Sequence, residues 1–277
     1  MRKLLPVPLC LLAFLPVFLP VFAVVFTRKT GAQPSRSRPA PSRILPPSSS
    51  FRFPENQRFV YSAEWHRLNA GIATIVFERT PSGEHLRATA ATSGMTSKIY
   101  PVHITSDARI EPRTFCTLAI FRHSQEGSRR VDRRVVFDYS SARSRVEETD
   151  LVTGRQRRLE FDIPPCVTDI VSGFFYASSL NLAPGLTETF PVSEGGKTSE
   201  VRIEVEGRDT VKVPWGAFTA LRARAEPVSG PLSERMGGLT VWFTDDGRRI
   251  PVKIAARLAF ATLGFELERI EPAAGAK

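Results

Sequence analysis

Downstream of residue 58, apolar and polar positions alternate in short runs, with turn residues every 8 to 12 positions. A period of two is the mark of a half-buried strand. Residues 59–65 put Phe59, Tyr61, Ala63 and Trp65 on one face and Val60, Ser62 and Glu64 on the other. Asn69 to Gly71 then supplies turn chemistry, and 72–79 forms the next strand, with Ala73, Ile75 and Phe77 on one side. Pro81-Ser82-Gly83 turns the chain into a strand over 85–93. The same pattern predicts strands over 102–110, 114–122, 130–139, 144–149 and 157–161. A more hydrophobic group follows at 187–192, 199–206, 210–213, 218–226, 239–244, 249–256 and 265–270. Asp245-Asp246-Gly247 has the composition of a tight hairpin turn.

One segment breaks the period. Over 168–180, Thr168 can cap a helix with Asp169 in its first turn, and Ile170, Val171, Phe174, Phe175 and Ala177 fall on one side. Pro184-Gly185 stops it, and 96–100 predicts a shorter helical turn. The fold class expected is mainly β: a long, curved antiparallel sheet forming a full or partial barrel. One short helix near 168–180 packs against it or plugs one end.

Charge changes the picture at the N-terminus. The 277 residues carry a net charge of +10, but residues 1–50 hold seven basic groups and no acid. The other 227 residues hold 31 basic and 28 acidic groups, so the body is nearly balanced. Residues 4–26 carry no charge, and as a helix of about 1.5 Å per residue they would be long enough for a bilayer. The length favours an uncleaved anchor. Pro6, Pro8, Pro16 and Pro20, with small residues near Ala23 and Ala32, favour a secretory signal. The basic residues after the apolar stretch outnumber those before it, which by itself would hold the body in the cytoplasm. Export to the periplasm or cell envelope is still the expectation, because a cleavable signal does not depend on that count. Residues 33–50 are rich in Pro, Ser and Arg and read as a spacer. The organisation expected is a signal or anchor over 1–32, a linker over 33–50 and one β-rich domain over 51–277. Cys116 and Cys166 are the two cysteines of that domain; they could pair in an oxidising compartment or stay buried as free thiols.

The order of these pieces resembles a bacterial exported family, domain of unknown function 3108, over about residues 55–270. The opening resembles residues 60–65 and 70–77. The middle piece resembles 93–107, with Gly94, Tyr100-Pro101-Val102 and Asp107. The family's Asp-x-x-Ser-x-x-Tyr-Tyr is matched by Asp169, Ser172, Phe175 and Tyr176, with Phe175 standing where Tyr is more usual. Gly195-Gly196-Lys197, Val211-x-Val213-Pro214-x-Gly216-x-Phe218, Leu239-x-Val241-Trp242-Phe243-Thr244-Asp245-Asp246 and Arg249-x-Pro251-Val252 follow in order. The resemblance implies an envelope location and a β-rich fold, and no reaction, cofactor or catalytic residue.

Candidate chemistry is sparse. His66, His85, His103 and His123 lack ligand spacing, no GxSxG elbow, SxxK or nucleotide loop occurs, and no cofactor is expected. Asp245-Asp246 reads as a turn, and Glu147-Glu148-Asp150 as a polar hairpin. Residues 122–158 hold ten arginines (122, 129, 130, 133, 134, 143, 145, 155, 157 and 158) against six acids. Arg130 and Arg134 share one strand face and Arg129 and Arg133 the other. These four are the candidate anion contacts, weighed against a solvated hairpin held by cross-strand ion pairs. Too few aromatics accompany them for nucleic-acid stacking, and no nucleic-acid partner is expected. Trp65, Phe174, Phe175 and Trp242 are candidates for the wall of an apolar cavity, weighed against ordinary core packing. The function expected is therefore non-enzymatic: an exported domain that binds an envelope component, such as an apolar or lipid-like ligand, or a partner protein. The alternatives are a membrane-tethered structural or assembly factor, using residues 1–50 for membrane contact, and a hydrolase of envelope polymer.

Overall fold

Among the described residues the alternating runs assemble into a single fifteen-stranded sheet. The computed structural model describes residues 43–273 apart from 50, 53, 66, 67, 81, 82, 112 and 258–261. The segment over 1–32 and most of the 33–50 linker lie outside the described residues. Strands β1 (Gln57–Trp65), β2 (Leu68–Thr80) and β3 (Gly83–Thr92) lead to a short helix, α1 (Gly94–Ile99). Next come β4 (Val102–Ile110), β5 (Thr117–Glu126), β6 (Arg129–Asp138), β7 (Arg143–Asp150) and β8 (Gln156–Asp162). A two-residue strand, β9 (Thr168–Asp169), runs into helix α2 (Ile170–Ser179). The chain ends with β10 (Thr187–Glu194), β11 (Lys197–Val213), β12 (Gly216–Ser229), β13 (Leu239–Thr244), β14 (Pro251–Arg257) and β15 (Thr262–Pro272). Among the described residues no helix is long and apolar enough to cross a membrane.

The order is β8-β7-β6-β5-β4-β3-β2-β1-β15-β14-β13-β12-β11-β10-β9. Strand β1 therefore joins the two halves, pairing with β2 on one side and β15 on the other. Neighbours are antiparallel except β9 and β10. The end strands β8 and β9 do not pair, so the sheet is an open roll, the partial form of the expected barrel.

The roll passes its own edge. The Thr117 amide at the start of β5 donates to the Val167 carbonyl at 2.8 Å, and the Tyr139 hydroxyl donates to the Thr117 carbonyl at 2.6 Å. The Cys116–Cys166 disulfide crosses the same seam, with Cα atoms 5.2 Å apart. Beyond the seam, β6–β8 cover the turn between β10 and β11. There the Ser144 hydroxyl donates to the Gly196 carbonyl at 2.7 Å, and Lys197 sits over the Phe161 ring. Gly196 has φ of 85°, and a Cβ there would collide with the Val146 side chain. Gly196→Ala should lower stability by about 2 kcal/mol through backbone strain and that clash. An unchanged urea midpoint would show that the turn does not depend on this fit.

Helix α2 lies inside the roll. Phe175 contacts Phe59 and Phe77, the latter edge-on at 4.5 Å between centroids, and Tyr176 contacts Phe115 and Phe190. Gly173, Ala177, Ser178 and Ser179 are small enough to let the helix be buried beyond one face, and both serine hydroxyls are satisfied by carbonyls one turn back. The helix is thus not simply amphipathic. Its cap is Asp169 rather than Thr168, because Asp169 accepts from the Val171 and Ser172 amides at 2.9 and 3.1 Å. Residues 43–49, read as part of a spacer, run onto this helix: the Leu45 amide donates to the Tyr176 hydroxyl and the Ser48 amide to the Ser179 carbonyl.

Two other expectations change. Asn69 to Gly71 is not a turn but part of β2, and Gly71 pairs with Thr92. A Cβ at Gly71 would collide with the Ala91 carbonyl, so glycine serves close strand approach there. The break expected between 206 and 210 is a bulge within the continuous β11, where the register shifts between Val205 and Gly207.

Candidate functional site

The inner faces of the strands leave a cavity of about 390 Å³ beside α2. Strand alternation decides its wall. Ala73 and Ile75 on β2 face Ala90 and Ala88 on β3, and Phe265 on β15 pairs with Ile254 on β14. Small residues on β3 leave the space, and Ile170, Val171 and Phe174 of α2 close one side. A smaller void of about 70 Å³ lies along the other flank of the helix, with Ile170 and Phe174 bordering both.

The polar end of the cavity is built by β5, β6 and the β9–β10 edge. Arg122 on β5 lies directly across from Arg133 on β6, and Ser106 on β4 is its other neighbour. Like charges placed opposite each other repel unless one is neutralised. Here Arg133 is neutralised: its Nε donates to Glu148 at 3.0 Å and it sits 3.9 Å from Glu194. Glu194 also faces Arg235 at 3.5 Å. Asp169 is 5% exposed and accepts from the Thr117 and Ser172 hydroxyls as well as from the helix amides. Arg122 alone among these four charged lining residues has no hydrogen bond or ion pair with a described residue. Burial pulls its pKa down, while Glu194 and Glu126 push it up and Arg133 and Arg129 oppose them. Ser193 also lines this end; it is 1% exposed, and its hydroxyl has no hydrogen-bond partner among the described residues.

The structure separates the sequence candidates. Phe174 lines the cavity. Phe175 is core, held between Phe59 and Phe77. Trp242 lies between the inward Val241 and Phe243, and its Nε1 donates to Asp209 at 2.9 Å, so it faces away from the cavity. Trp65 ends β1 opposite Leu68 and Leu263 and is not part of the cavity wall. Arg130 and Arg134 are exposed on the outer face of β6, while Arg129 and Arg133 are half-buried on the inner one. Much of the remaining arginine cluster forms cross-strand ion pairs, including Arg143–Asp162, Arg145–Glu160 and Arg158–Glu147. His85 and His123 pair with Asp107 and Asp132 at 2.7 and 2.6 Å, and no group of three or more potential metal ligands occurs among the described residues. Arg122 itself was not singled out by sequence. The two-residue turn Gly127-Ser128 carried the signal, because pairing Glu126 with Arg129 brings Arg122 opposite Arg133.

Comparison with known proteins fits this architecture. The model of the family described as "Protein of unknown function (DUF3108)" matches residues 60–268. The chain belongs to that family. A search of curated proteins found no match. Among solved structures, a beta-barrel-like protein of domain of unknown function DUF1849 from Brucella abortus superposes with a TM-score of 0.53 at 8% identity. The match covers 84% of this chain and all of that one, and at this identity it speaks for the fold alone. Several DUF3108 motif residues turn out to be structural. Arg249 donates to the Leu180 carbonyl at the end of α2, and the Pro251 carbonyl accepts from the buried Tyr61 hydroxyl at 2.9 Å. Asp246 organises the β13–β14 turn by accepting from Thr244 and the Arg248 and Arg249 amides. Trp215 stacks on Phe218 in the β11–β12 hairpin.

Proposed function

We propose that this protein works outside the cytoplasm, in the cell envelope, and holds an apolar, lipid-like ligand in the cavity beside α2. The observation that carries the reading is the cavity: about 390 Å³, walled mostly by aliphatic and aromatic side chains, with its four charged residues gathered on β5, β6 and the β9–β10 edge. Ligand sites commonly occupy about 300–1,000 Å³ with this distribution of polarity. Support for export comes from the charge-free stretch 4–26 and from the disulfide, a bond that persists in oxidising compartments.

The test uses the full chain, expressed with its own N-terminal segment and purified without detergent. Titration with N-phenyl-1-naphthylamine, a neutral apolar fluorophore, should give saturable enhancement. Ala88→Trp places an indole in the cavity wall and should weaken binding about tenfold or more while the protein still unfolds cooperatively. Absence of saturable binding by the parent chain, or equal binding by both, would remove the cavity from the account. A protein rather than a lipid co-purifying from the native envelope would favour a surface scaffold instead.

A further inference from the structure

The polar end of the cavity has more chemistry than an all-apolar ligand needs. Four charged residues line it, and three are already satisfied within the protein. Arg133 is held by Glu148 and Glu194, Glu194 by Arg133 and Arg235, and Asp169 by two hydroxyls and two amides. Arg122 is half-buried, with Ser106 and Arg133 across from it on the neighbouring strands, and is left with no described hydrogen-bonding or ion-pair partner. Ser193, also in the lining and paired with Asp169 along the β9–β10 edge, has a buried hydroxyl likewise without a described partner. Buried polar groups normally find hydrogen bonds, and a cation taken out of water requires compensation. Two such groups at one end of an apolar cavity leave donors and positive charge where the head of an amphiphile would lie.

We propose that the ligand is a long-chain amphiphile with an anionic head, a carboxylate or phosphate, and that Arg122 binds this head with Ser193 donating beside it. A guanidinium suits either group, since it can present two parallel N–H donors to two oxygens. The tail would run along Ala88, Ala90 and Ile75 towards Phe265. The proposal rests on the cavity reading above and adds the chemistry of the head.

The experiment compares oleate with oleyl alcohol, which shares the tail but lacks the charge, as displacers of the same fluorophore from the full chain. Oleate should bind about tenfold more tightly. Arg122→Gln should bring oleate to within about twofold of the alcohol and leave the alcohol itself within about twofold of its parent value. Ser193→Ala, a change of one buried atom, should weaken oleate less and leave the alcohol alone; it keeps the proposal testable if Arg122→Gln does not fold. Equal binding of oleate and alcohol, or oleate binding indifferent to both substitutions, would overturn the anionic head while leaving the cavity reading intact. Failure of both amphiphiles to bind, with the fluorophore also failing, would overturn both readings. Acetate or inorganic phosphate alone competing as strongly as oleate would make the site one for free anions and overturn the amphiphile.

Discussion

Replacing Cys116 and Cys166 together by serine should lower the free energy of unfolding by about 4 kcal/mol, the value expected for releasing a closed loop of this length. The cysteines are 50 residues apart in sequence, and the loop they close contains β5 through β8. The bond matters for where it lies as well as for loop length. It joins the turn before β5 to the segment leading into β9, where the roll meets its own edge and no continuous ladder closes the sheet. Among the described residues, hydrogen bonds of Thr117 to Val167 and Asp169, and of Tyr139 to Thr117 and Val167, do the same work nearby. Urea unfolding of the oxidised, reduced and doubly substituted chains would measure the effect. For a domain of this size the thermal midpoint should fall by roughly 10 °C. Identical midpoints for oxidised and reduced protein would mean that the seam is held without the disulfide. The loss should also be greatest for the exchange protection of β5 and β9, and smaller for β13 and β14 on the far side of the sheet.

Much of this fold was legible because alternation is a local property. The strand over 102–110 and that over 239–244 end where β4 and β13 end. The strand expected over 114–122 instead runs on to Glu126, where the two-residue turn Gly127-Ser128 pairs Glu126 with Arg129. The misses have a common physical cause. A glycine can signal a turn, a bulge or a close backbone approach, and local composition does not distinguish them. Gly71 has turn chemistry and Gly207 falls at an expected break, yet both sit within strands. The helix was legible, but its place was not, since a helix surrounded by sheet needs small residues where an amphipathic one would show polar ones. For the cavity, sequence supplied aromatic candidates, whereas the space is made by the small residues Ala73, Ala88 and Ala90. Trp242 illustrates the difference: it is large and apolar, yet parity places it on the outer face, where Asp209 accepts from its indole and Lys253 lies over its ring.

Asp169→Ala should also cost about 4 kcal/mol, for a reason unlike that of the disulfide. Loss of the cap to α2 accounts for about 1 kcal/mol. The larger part comes from Thr117 and Ser172, both fully buried, whose hydroxyls would lose their acceptor. Leaving each unsatisfied costs about 1–3 kcal/mol. Asp169→Asn retains one carbonyl oxygen and should recover the cap but only part of the hydroxyl contacts, so its stability should fall between the two. The same geometry separates Asp169 from ligand chemistry although it lines the cavity. One carboxylate oxygen accepts from the Val171 and Ser172 amides, the other from the Thr117 and Ser172 hydroxyls. Its hydrogen-bonding capacity is thus spent on joining β5, β9 and α2. Asp169→Asn should accordingly lower the urea midpoint while leaving affinity for oleate within about twofold when measured on folded protein. Arg122→Gln should do the opposite, shifting affinity with little change in midpoint. Stability lost in both variants with affinity unchanged in both would assign the whole polar end to structure. Affinity lost with Asp169→Asn at full stability would place its carboxylate against the ligand. The pair of variants therefore distinguishes a charge engaged in holding the fold from one still available to a bound molecule.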